Sequence, residues 1–179
     1  MIKVASPLRL FVRDATQIVR GRVTKFDSEN NRLAFDVEQD IAGKLETRSM
    51  IVVWKFDPGS KWEGIRTLPR LLKSFGPDQQ AILFINDTSG FWHNKGNERK
   101  SPIAFGYING SWFCFESTKL DNGKLLWKLA QGEPYLRTTF KGTTTELNKM
   151  LVDHLAGKGK RPDPVKEEPG FGPEYQPKK

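Results

Sequence analysis

A chain of 179 residues with one cysteine and no run of about 18 apolar residues can bury its own core, cannot close an intrachain disulfide and offers no membrane-spanning helix. The formal charge of +8 invites a phosphate-rich partner, yet the excess is spread out. Lys and Arg stand to Asp and Glu as 10 to 8 over residues 1–60, 10 to 6 over 61–130 and 9 to 7 over 131–179.

The opening Met1 to Pro7 lacks the apolar core of a secretion leader, so the chain reads as cytoplasmic by default, or as exported if a leader was trimmed. Alternation of Leu8, Leu10 and Val12 with polar neighbours predicts a first strand. Gln17 to Phe26 predicts a second, Asp27 to Asn31 a turn of residues that bond their own backbone, and Arg32 to Gln39 the return strand. Leu33, Phe35 and Val37 then share one face, and Gly21 marks a bulge or sharp bend, the device that curls a sheet. Ala42 to Lys44 is a turn, and the unbroken run Met50 to Trp54 predicts a central strand covered on both faces.

Past the Pro58-Gly59 turn, Pro69 inside and Gly76-Pro77 beyond bracket a helix of about two turns starting at Thr67. Ala81 to Ile85 is a short apolar strand, and Asn86 to Ser101 is the longest polar loop within the domain. Ile103 to Ile108 and Ser111 to Glu116 flank Asn109-Gly110, whose two residues tolerate the positive φ of a type I′ hairpin turn. A last hairpin is expected to pair Leu125 to Ala130 with Tyr135 to Phe140.

Thr143-x-x-Glu146 has the form of a capping box, opening a helix over 144–156 with Leu147, Met150, Leu151 and Leu155 on one stripe and Gly157 as its stop. Proline, glycine and charge dominate residues 158–179, a tail expected to be disordered or to wrap extended along a partner. The domain is therefore expected to span 1–157, mostly β with minor α: a curled antiparallel barrel, extra hairpins, one short internal helix and one C-terminal helix.

The segment Ala15 to Val23, followed by Phe35-Asp36-Val37 and Ile41 to Lys44, resembles the opening of bacterial netrin-like domains, and Ile82 to Ile85 is similar to a later strand of that pattern. The resemblance implies an OB-type barrel of five strands at the root of the fold. Phe105 to Trp112 and Glu133 to Arg137 resemble a bacterial family with no assigned activity. Tissue inhibitors of metalloproteinases, better-known netrin-like proteins, chelate zinc through an N-terminal cysteine. This chain has none there, so that route to inhibition is not implied.

Only His93 and His154 can serve as bases near neutral pH, and there is no Gly-x-Ser-x-Gly elbow, Walker-type loop or His-Glu-x-x-His helix. The expectation is a protein without catalytic residues, metal or cofactor. His154 falls in the last turn of the final helix, where it suits the helix carbonyls. Cys114 within Trp112 to Phe115 reads as a buried thiol, and Trp54, Trp112 and Trp127 as core. Trp62 and Trp92 fall in loops, and His93, Lys95, Arg99 and Lys100 lie close to Trp92. With Phe171 and Tyr175 of the tail these form the candidate partner-binding set. Exposed aromatics beside cations suit a protein or multi-subunit assembly as partner, with single-stranded nucleic acid as the alternative.

Overall fold

The computed structural model describes residues 8–55, 57, 59–88, 91, 102–119, 125–133, 136 and 139–159. Its strands are β1 (Gln17–Asp27), β2 (Arg32–Ala42), β3 (Ser49–Trp54), β4 (Gln80–Asn86), β5 (Ile103–Ile108), β6 (Ser111–Lys119) and β7 (Leu125–Gly132). Helices are α1 (Leu8–Asp14), α2 (Glu63–Arg66), α3 (Leu68–Leu72), continued by a tighter turn over Lys73–Phe75, and α4 (Thr144–Leu155). The strands close into a barrel in the order β1-β2-β3-β7-β6-β5-β4. Every pairing is antiparallel except that of β3 with β7, which is parallel.

Local chemistry sets the curl. Asn31 turns the β1–β2 hairpin at φ 51°, and the Asp27 carboxylate accepts from the backbone and side-chain amides of Asn30. The pairing of β1 with β2 shifts register at Gly21, where a Cβ would sit 2.1 Å from Cε1 of Phe35. The missing side chain lets that ring lie inside the barrel. Asn109 and Gly110 take φ 41° and 93° between β5 and β6, as the type I′ reading requires.

Alternation then sorts side chains into two layers. Val19, Val23, Leu33, Phe35, Val52, Leu83, Phe113, Phe115 and Leu129 fill the interior. On the opposite face of β4, β5 and β6, Ile82, Phe84, Phe105, Tyr107, Trp112 and Cys114 pack beneath α1 and α4. Phe11 of α1 is wholly buried there, with its ring centroid 5.3 to 5.6 Å from those of Phe84, Phe91, Phe105 and Trp112. Burial of such a ring contributes about 1.5–3 kcal/mol and fixes α1 on the barrel wall. The capping box of α4 is made: Glu146 N donates to Thr143 Oγ1 at 3.2 Å, and Thr143 N donates to Glu146 Oε2 at 2.6 Å.

The mostly β barrel with minor helices matches the expectation, as do the buried Trp54, Trp112, Trp127 and Cys114. Four elements differ. Leu8, Leu10 and Val12 belong to α1 rather than to a strand, and it is Leu8 and Phe11, three apart, that are buried. The Met50 to Trp54 run is not covered on both faces, because Ile51 is 45% exposed while Met50, Val52 and Trp54 point inward. The internal helix is preceded by a separate turn, α2. The expected strand at Tyr135 to Phe140 is absent among its described residues. Leu136 and Thr139 lie in turns, and β7 pairs with β6 and β3 instead.

Candidate functional site

Leaving β3, the chain must cross one open end of the barrel to reach β4, and α2, α3 and the following turn close that end as a plug. Leu68, Leu71 and Phe75 are its apolar floor, and the Phe75 ring meets Phe113 edge-on with centroids 4.9 Å apart. Pro69 starts α3 without loss, since a first-turn N–H has no helical partner. Trp62 precedes α2 in an extended conformation, and its carbonyl accepts from Ile65 N and Arg66 N at 3.1 and 3.0 Å.

Two glycines let α2 lie directly on the end of β7. A Cβ on Gly64 would stand 2.5 Å from the Gly132 carbonyl oxygen, and one on Gly132 would stand 2.7 Å from Thr67 Oγ1. That close approach brings the side chains of Trp62 and Gln131 together. The indole Nε1–H donates to Gln131 Oε1 at 3.0 Å, and Gln131 Nε2 donates to Glu133 Oε1 at 2.8 Å. Glu133 is 2% exposed, whereas Trp62 is 42% exposed. A surface indole is thus tethered through one amide to a buried carboxylate.

Beside this chain of bonds is a cleft of about 150 Å³, with Glu63, Thr67 and Arg70 on the helical side facing Ser111, Gly132 and Glu133. Its size suits one amino-acid side chain. The exposed side chain of Arg70 makes no hydrogen bond or ion pair among the described residues, so the cleft presents one guanidinium against two carboxylates. Among the described residues no group of three or more His, Cys, Asp or Glu could hold a metal ion, and no helix is long and apolar enough to cross a membrane.

Of the residues singled out from sequence, Trp62 stands next to this cleft, one residue before Glu63 of its lining and bonded through Gln131 to Glu133. Trp92, His93, Lys95, Arg99, Lys100, Phe171 and Tyr175 lie outside the described residues. Gln131, Glu133 and Arg70 gave no sequence signal, because a polar pair at the end of a strand and an arginine on a short helix read as ordinary surface. Gly64 and Gly132 could have hinted at the contact, since neither stands at a turn that demands glycine. In comparisons with known proteins, no family model matches the chain, and neither a curated protein nor a solved structure matches it.

Proposed function

We propose that the protein is a non-catalytic interaction module that meets a partner protein through the plugged end of its barrel, with Trp62 as the anchor. The observation that carries this reading is an aromatic ring 42% exposed whose polar end is nonetheless held at 3.0 Å by Gln131. An indole fixed before association has little rotamer freedom left to lose, and ordered aromatics of this kind dominate binding energy in protein interfaces. The adjoining cleft, with Glu63 and Arg70 on its rim, receives one side chain from the partner and sets its orientation. The netrin-like resemblance is compatible with this role, because it carries no catalytic apparatus.

The test is photo-crosslinking in the native cell from benzoylphenylalanine placed at position 62, with position 149 on the exposed face of α4 as control. A discrete adduct from 62 alone, and roughly tenfold weaker association of the Trp62→Ala variant with the captured protein, are the expected results. Equal adducts from both positions, or full affinity in Trp62→Ala, would refute the proposal.

A further inference from the structure

The helical plug has a second face. Gly64, Leu68, Leu71 and Phe75, spaced four, three and four apart, are buried against the barrel end. Arg66, Arg70 and Lys73 repeat the four-and-three spacing on the opposite side, and all three are exposed. Thr67 keeps helical dihedrals between α2 and α3. Its N–H donates to the Glu63 carbonyl at 2.9 Å and its own carbonyl accepts from Leu71 N at 3.0 Å, so the three cations lie on one continuous ridge.

Like charges at these spacings repel one another. None of the three side chains makes a hydrogen bond or ion pair among the described residues. From Lys61 to Phe75 the cations Lys61, Arg66, Arg70 and Lys73 stand against Glu63, the one acid of the segment. Glu63 lies one turn before Arg66 and lines the cleft, and it forms no ion pair among the described residues. The acids on either side have other partners. Asp57 accepts from Gly59 N at 3.0 Å, Asp78 lies 3.7 Å from Arg22, and the buried Glu133 accepts from Gln131. Glu63 thus offsets one of four cations, and the ridge keeps a net positive field.

Trp62 stands at the start of this ridge, four residues before Arg66. Trp and Arg are among the residue types that contribute most to binding at protein interfaces. Among the described residues Trp62 is the only exposed aromatic, and one ring does not make a platform for the successive bases of a nucleic-acid strand. Arg66 and Lys73 are separated by about 10.5 Å along a helix axis. Carboxylates at positions i, i+4 and i+7 of a second helix repeat that spacing, so one can meet each cation.

We infer that the partner protein seated on Trp62 lays an acidic helix along this ridge, with carboxylates at i, i+4 and i+7 facing Arg66, Arg70 and Lys73. The inference rests on the Trp62 reading and adds to it the charge and shape of the partner.

The experiment is fluorescence anisotropy on the full chain at low salt with three labelled probes: an alanine-based helical peptide containing Glu-Ala-Ala-Ala-Glu-Ala-Ala-Glu, the same peptide with Gln at those three positions, and a 12-nucleotide oligothymidine. The Glu peptide should bind in preference to both others and weaken as salt is raised. Arg66→Glu with Lys73→Glu should weaken it by about tenfold, each reversal trading an attraction for a repulsion. The thermal melt should be unchanged, since both side chains are exposed. Equal binding of the Glu and Gln peptides, tighter binding of the oligonucleotide, or full affinity in the charge-reversed variant would overturn the inference. Failure of the Trp62 reading is read separately, from crosslinking at position 62. An adduct there without acidic preference keeps the anchor and removes the ridge, whereas acidic preference without an adduct keeps the ridge and removes the anchor.

Discussion

Replacing Gly64 by alanine sets two effects of opposite sign against each other. In an exposed helix, Gly→Ala stabilises by roughly 0.8–1 kcal/mol through backbone entropy and propensity. Here the new Cβ would stand 2.5 Å from the Gly132 carbonyl oxygen and 2.6 Å from Trp62 Nε1, and real Cβ contacts essentially never come under 3.0 Å. The indole can swing aside, but the carbonyl belongs to β7 and cannot, so α2 must retreat by at least 0.5 Å, the difference between 2.5 and 3.0 Å. Overpacking of that kind costs about 1–3 kcal/mol, which exceeds the helical gain across most of its range. The expected outcome is a net loss of about 0–2 kcal/mol in urea unfolding, together with greater acrylamide quenching of tryptophan emission as the Trp62–Gln131 bond opens. A variant more stable than the parent, with unaltered quenching, would show that α2 does not rest on β7 as described.

Other expectations follow from the same contacts. Phe75→Ala removes a wholly buried ring between Phe113 and Phe115 and should cost about 3–5 kcal/mol, read as a fall in the urea midpoint at constant slope. Thr143→Ala deletes the N-cap of α4 and should cost about 1 kcal/mol in the same assay. Glu38 is held below the ordinary carboxylate range by its hydrogen bond from Arg22, against some desolvation, with Gln80 as a second donor. Its contribution is therefore present above about pH 4.3, the unfolded value, and disappears as pH falls through the lower folded one. Thermal melts across that window should flatten in Glu38→Gln.

Local chemistry was legible and long-range pairing was not. The Asp27 to Asn31 turn, the Asn109-Gly110 turn and the Thr143 capping box each rest on residues whose side chains or φ preferences dictate the backbone within four positions. Leu8 to Val12 is ambiguous in sequence because five residues satisfy a period of two and one of 3.6 about equally well, and the burial of Phe11 with Leu8 decides for the helix. The parallel contact of β3 with β7 joins Val52 to Trp127, a separation no local signal encodes. Sequence proximity instead favours Tyr135 to Phe140 as the partner of β7, whereas its partners are β6 and β3. The Met50 to Trp54 run looked doubly covered because its apolar content does not reveal that helices shield only one side of the barrel. At the candidate site, Trp62 was found by its loop position and cationic neighbours. Gln131 and Glu133 depend on how α2 meets β7, and that is a property of the closed barrel.

Closure also limits how anything can attach. A sheet with a free flank can recruit an incoming strand through bare main-chain groups, and that mode of capture tolerates almost any sequence. A ring in which β4 returns to β1 over Gln17 to Arg22 and β7 bonds to β3 over Val52 to Trp54 has engaged most of those groups internally. Whatever associates with the barrel wall must be discriminated by side chains, so single substitutions on its surface should govern selectivity more sharply than they would on an open sheet.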